Sequence, residues 1–189
     1  QLYRTAAEAL RQLSDTADRI RAQNQARALT VSCSIGFASL WLVPRLGDFR
    51  AQHPDIEIRI DANNRLIDLD RERVELAVRY CPAQIAPAGS QQLFGEEVMP
   101  VCSPALIDVP GKPLAEPADL RHQVLLHYQM AEKVWPTGAW PVWLETMKLH
   151  GLQSAGSVQF NQYDQLINAA LEGQGVALGV SPLVRRHLR

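Results

Sequence analysis

"LTVSCSIGFASLWLVPRL", residues 29 to 46, carries the reading of this chain. "LTVSCSI" has the apolar and small-polar mix of a strand, and from Phe37 the period changes. Phe37, Leu40, Trp41, Leu46 and Phe49 then fall on one side of a helix. Ser34 to Gly36 form the corner between the two, and no charged residue appears before Arg45. A helix start presents unpaired N–H groups and a partial positive charge, so this corner could hold an anion with backbone alone. It could equally be a plain connection. Pro44 lacks the N–H that a helix interior uses, which predicts a kink or a restart there.

Downstream, "IEIRI" (56–60) alternates isoleucines with charged residues, "LIDLDRERV" (66–74) reads as helix, and "ELAVRY" (75–80) alternates again. The order is β-α-β-α-β across 29–80, the pattern of a parallel sheet with covering helices. A loop rich in Pro, Ala, Gly and Gln (82–92) separates a second set. "EEVMPVC" is a strand, and "SPALI" is a helix start with Ser103 as N-cap and Pro104 in its first position. "QVLLHY", "VQF" and "GVALGV" are strands. "WPVWLETMKLHG" and "QYDQLINAALEG" are helices closed by Gly151 and Gly173, and Ser181-Pro182 opens another. The expected fold class is α/β with two Rossmann-like lobes, residues 28–92 and 93–189, preceded by a separate helix over 1–27.

That first segment has no Gly or Pro, and Tyr3, Ala6, Leu10, Leu13, Ala17 and Ile20 step by three and four. Such a seam packs on its own domain, or else pairs with another chain or links to a further domain, and its narrowness favours the second use.

Composition removes several functions. Nineteen basic and twenty acidic residues give a net charge of −1, without the positive excess that nucleic-acid binding uses. No apolar run reaches the length of a membrane span and no signal-peptide pattern opens the chain, which predicts a cytoplasmic protein. Three widely spaced cysteines, Cys33, Cys81 and Cys102, read as reduced buried thiols rather than a disulfide framework. The five histidines have no ligand spacing, and the phosphate-loop, dinucleotide and nucleophile-elbow motifs are missing. The expectation is therefore no enzyme, no metal and no cofactor.

Two α/β lobes bind ligands outside the carboxyl ends of their strands. Four corners are expected to converge there: Ser34, Ile35, Gly36 and Phe37; Cys102 to Pro104, with Ser103; His127 near the end of "LLHYQ"; and Phe160 to Tyr163, with Asn161. Arg45, Arg65 and Arg79 are the main cations near these edges, so an anionic ligand would be held mostly by backbone and hydroxyl groups.

Four blocks in this order carry a resemblance. "LTVSCSIGFASLWLVPRLGDFRAQHPDIEIRI", "LIDLDRERVELAVRY", "LFGEEVMPVCSPAL" and "AALEGQGVALGVSPLV" are similar to the effector-binding domain of LysR-type transcriptional regulators. Within that family they look like the subgroup of glycine-cleavage activators and β-lactamase regulators. The resemblance implies a bacterial regulator with a winged helix-turn-helix outside this chain, a dimerising linker helix (1–27) and a two-lobed domain of periplasmic-binding-protein type. It also implies a small-molecule effector between the lobes, a homodimer or homotetramer, DNA contact only through the helix-turn-helix, and no membrane. A solute-binding protein or an α/β enzyme are the alternatives. Gly36 stands where the family often has Ser or Thr, leaving backbone N–H groups with Ser34 or Ser39 for the ligand. Cys81 stands where Gly is frequent and Glu75 where Asp is. Asp68 matches an acidic position near the pocket mouth.

Overall fold

The computed structural model describes residues 28–188 apart from 66, 70, 73, 108, 112, 113 and 130–134. The helix expected over 1–27 lies outside the described residues.

β1 (Ala28–Cys33) is the centre of a parallel three-stranded sheet, with β2 (Glu57–Ala62) and β3 (Leu76–Val78) on either side. Its register sets Leu29 beside Ile58, Val31 beside Ile60 and Leu76, and Cys33 beside Ala62 and Val78. Because side chains alternate, these apolar residues share one face, while Thr30, Ser32, Arg59 and Asp61 share the other. The apolar face is covered by the helical run after the corner, where Phe37, Ala38 and Trp41 pack with Cys33, Ile60 and Val78.

That run changes its winding at the proline. One α turn, α1 (Ile35–Phe37), passes into a π turn (Ala38–Leu42) and a 3-10 turn (Val43–Arg45), then into α2 (Leu46–Gln52). The Val43 N–H donates to Ala38 O and the Leu46 N–H to Val43 O. Wider and tighter turns thus absorb the N–H that Pro44 lacks. None of the described residues of 66–74 is helical: they form turn and irregular backbone, with the Arg71 and Glu72 N–H groups donating to Asp68 O. Five of those nine residues are charged, so a short segment there has too little apolar surface to support a helix.

The second sheet orders β4 (Val98–Val101), β7 (Val176–Val180), β5 (Val124–Tyr128) and β6 (Gly156–Phe160). β5, β6 and β7 run parallel and β4 runs against them. α3 (Trp140–Thr146) and α4 (Tyr163–Leu171) pack on it, and α5 (Ser181–Val184) follows β7. Leu126, Leu166, Ile167, Ala177 and Val184 form the centre of the core. Gly173 closes α4 at φ +73°, the left-handed conformation expected of a glycine there. "SPALI" gives one 3-10 turn (Pro104–Leu106), and the Ser103 hydroxyl does not cap it.

Of the three thiols, Cys33 is buried and Cys102 half-buried, and burial pushes both thiols up. Cys81 corrects the expectation: it is exposed, because the chain has left β3 and entered the loop at Pro82.

Asp119 accepts the N–H groups of Ala115 and Glu116, which lower its pKa. A depressed carboxylate stabilises the fold above the ordinary Asp range and loses that contribution as pH falls through its folded value. Urea melts should therefore show Asp119→Asn less stable than the parent at pH 7, with the difference shrinking by pH 3. An equal difference at both pH values would contradict the assignment.

Candidate functional site

The corner at Ser34 meets the first turn of α4, so the exits of the two sheets face one another. Ser34 caps α1, with the Phe37 N–H donating to its Oγ at 3.4 Å and the Ala38 N–H to its carbonyl at 2.9 Å. The Ile35 N–H donates to Asn64 Oδ1 at 3.3 Å. Asn64 Nδ2 in turn donates to Gln162 Oε1 at 3.2 Å, a bridge from the first sheet's exit to the N-cap residue of α4. Gly36 is buried beside Tyr163: a Cβ at Gly36 would lie 3.1 Å from Tyr163 Cβ and 3.2 Å from its Cδ1. Close approach of α4 is what the missing Cβ allows.

The exits of β5 and β6 lie on the same side. Tyr128 meets Tyr163 edge to face with centroids 5.7 Å apart, and His127, beside Gln159 in the register, is half-buried next to it. Asn161 is exposed just before Gln162. Ser34, Ile35 and Gly36 are thus joined to the first turn of α4, Asn161 precedes that turn and His127 lies at the exit of β5, while Phe37 is buried and stacks on Trp41, centroids 5.1 Å apart. Ser103 does not join them. Because β4 is antiparallel, its exit lies at the far end of the sheet, where the Ser103 N–H donates to Ala170 O near the C-terminus of α4. Asp68 is exposed and pairs with Arg71 at 3.3 Å.

A polar floor lies behind the corner on the second face of the first sheet. Arg79 Nη2 donates to Ser32 Oγ at 2.8 Å, to Arg65 O at 3.2 Å and to Asn63 Oδ1 at 3.5 Å; its Nη1 reaches Val78 O at 2.9 Å. Ser32 Oγ and Asn63 Nδ2 both donate to Asp61 Oδ2, at 3.2 and 2.7 Å. One guanidinium thus joins the exits of all three strands. Burial lowers the Arg79 pKa, and the nearby Cys33 and Asp61 oppose it. Arg65 clamps Glu72 with both guanidinium nitrogens and holds that carboxyl below its ordinary range. Arg45 turns away from the floor, its guanidinium 4.5 Å over the Trp41 ring.

Sequence reasoning missed Asn64, while Gln162 and Tyr163 belong to the 160–163 corner expected at the crevice. Nothing local shows that an Asn 98 residues upstream reaches that corner. The Ser32–Asp61–Arg79 network had a signal, since Ser32 and Asp61 sit on the polar side of alternating strands. The arrangement offers hydrogen-bond donors and acceptors from both sheets. Among the described residues no group of three or more His, Cys, Asp or Glu is arranged for a metal, and no helix is long and apolar enough to cross a membrane.

Residues 22–189 match the LysR substrate binding domain. The chain is 33% identical over 171 residues to the glycine cleavage system transcriptional activator of Escherichia coli (strain K12), covering 90% of this chain and 54% of that protein. It is 32% identical over 167 residues to the HTH-type transcriptional activator AmpR of Rhodobacter capsulatus, with 88% and 54% covered. The effector domain of AmpR from Pseudomonas aeruginosa superposes with a TM-score of 0.61 at 30% identity, over 87% of this chain and 74% of that one. CrgA, a LysR-type transcriptional regulator from Neisseria meningitidis, superposes with a TM-score of 0.62 over 97% of this chain and 61% of that one; at 18% identity this is a likeness of fold alone. The chain spans about half the length of the curated relatives it matches. These relatives are transcriptional regulators, and the sheets, their order along the chain and the facing exits are those of a two-lobed effector-binding domain. The chain belongs to the LysR substrate binding domain family.

Proposed function

We propose that a small-molecule effector binds in the crevice between the Ser34 corner and the first turn of α4, and that its binding changes the arrangement of the two lobes. The observation that carries this is the Asn64 bridge, which joins the Ile35 N–H in one lobe to Gln162 in the other. An effector with a carboxylate or carbonyl oxygen accepts the Ile35 N–H in place of Asn64 Oδ1 and so breaks the run of bonds from Ile35 through Asn64 to Gln162. Ser34, Ile35 and Gly36 then contact the ligand, with His127 and Asn161 at the rim, while Phe37 supports the corner from below and Asp68 sits outside. Differential affinity for two lobe arrangements shifts the population between them.

The lobes divide near residues 92 and 93 in this reading, and residues 1–27 form the linker helix. The chain works as a cytoplasmic homodimer or homotetramer, is no enzyme, and touches DNA only through a helix-turn-helix outside it. The strand edges support self-association. β2 is an outer strand, and beside it Leu46, Ile56, Ile58 and Ile60 with Arg50 and Asp55 line an open concavity of about 970 Å³. Sedimentation at tens of micromolar, where an interface of standard size associates, should show a dimer or larger; a monomer would contradict this.

A thermal-shift screen of metabolites tests the effector. A ligand that binds only the folded chain, at a concentration about 100 times its Kd, adds roughly 2.7 kcal/mol of apparent stability. At least one small organic acid or its amide should raise the melting temperature, and a screen in which none does so would count against the reading.

A further inference from the structure

We infer that Glu96 is a positioning residue that sets the angle between the lobes. This rests on the effector reading above and adds the hinge through which that site responds. The chain passes from the first sheet to the second between Arg79 and Glu97, and Glu96 stands at the end of that passage. Its two carboxylate oxygens receive three donors from both sides. The Tyr80 hydroxyl, just beyond β3, donates to Oε1 at 3.1 Å. From the second lobe, the Thr137 hydroxyl donates to the same oxygen at 2.8 Å and the Trp135 indole N–H to Oε2 at 2.8 Å. A carboxylate is an acceptor only, so it suits a position where every partner is a donor, and charge-assisted bonds of this kind are the stronger ones.

The latch reaches the crevice through packed rings. Tyr80 also meets Trp135 edge to face, centroids 6.5 Å apart. Trp135 is buried and meets Tyr163 edge to face at 5.6 Å, and Tyr163 is the residue whose Cβ lies against Gly36. Gly138 makes room for the indole: a Cβ there would fall 2.1 Å from Trp135 Cε3. Glu96, Trp135, Tyr163 and Gly36 therefore form one continuous set of contacts from the hinge to the effector crevice. If Glu96 loses its donors, Tyr80 is free of Trp135, and the wall that Tyr163 presents to Gly36 is no longer fixed from behind.

The test reads lobe geometry without any ligand. Spin labels are placed at Arg71 and Glu172, both exposed, in the full chain with Cys81→Ser and Cys102→Ala, and diluted with unlabelled protein so that only distances within one chain are read. The parent should give one narrow distance distribution. Glu96→Ala should broaden it and move its mean by at least about 3 Å, the length of one hydrogen bond. Glu96→Gln, which keeps an acceptor oxygen, should fall between. Tyr80→Phe removes one hydroxyl at the surface and should broaden the distribution even if Glu96→Ala fails to fold. Distributions matching the parent in Glu96→Gln and Tyr80→Phe, with or without a lower melting temperature, overturn the inference. Failure to find an effector leaves these distances unchanged, so the two readings fail separately.

Discussion

Gly36→Val should destabilise the chain and remove its response to effector together. The backbone at Gly36 is not in the left-handed region, so the side chain is not excluded by conformation. What it meets is Tyr163: the first carbon alone lies 3.1 Å from Tyr163 Cβ, and valine adds two methyl groups beyond it. Overpacking of this kind costs about 1–3 kcal/mol, a fall of several degrees in a domain of this size. Relief comes by moving α4 away from the corner, which widens the crevice and breaks the Asn64–Gln162 bridge. Gly36→Ser carries the same Cβ without the branching, so it should show a smaller loss. Melting curves with and without a screened ligand check both variants. A Val variant that melts and binds like the parent would mean that the corner is only a connection.

Tyr163→Phe should lower stability by roughly 1–3 kcal/mol, the cost of leaving buried backbone groups unsatisfied. β5 and β7 are paired only at Leu125–Leu126 and Val176–Ala177, and beyond that they part. The Tyr163 hydroxyl stands in the gap, donating to Leu178 O at 3.1 Å and accepting the Val180 N–H at 2.9 Å. Burial pushes its pKa well up, so it remains a neutral hydroxyl at any working pH. Tyr128→Phe serves as the control: Tyr128 is half-buried with no such bridge, and its loss should stay within about 0.5 kcal/mol. Urea unfolding of the two variants gives the comparison, and equal losses would contradict the role assigned to Tyr163.

Much of the fold can be read from short periods. The seven strands among the described residues lie where alternation or a short apolar run places them, because a strand buried on one face must repeat every two residues. Gly173 and Pro44 mark their helix end and winding change for reasons local to the backbone. The described part of 66–74 misleads because the segment's apolar residues have helical spacing while its charged ones pair locally, Arg71 with Asp68 and Glu72 with the preceding Arg65. Ser103 misleads for another reason. Its sequence signature is a good helix start, but whether a corner faces the crevice depends on strand direction, and nothing local states that β4 runs against β7. The crevice itself is the least legible part. Gly36 against Tyr163, Asn64 to Gln162 and Glu96 to Trp135 are contacts between distant segments, and each uses a residue whose own neighbourhood gives an ordinary structural reading.

In the proposed function one small molecule touches both lobes. Hydrogen exchange measured with and without a ligand found by thermal shift tests it most directly, since the amides concerned belong to separate sheets. Exchange should slow in both 34–38 and 161–166 when ligand is present, together with a changed rate at 63–65 as Asn64 leaves its bridge. Protection confined to one of these segments, or found only along β2 and α2, would place the ligand elsewhere and contradict it.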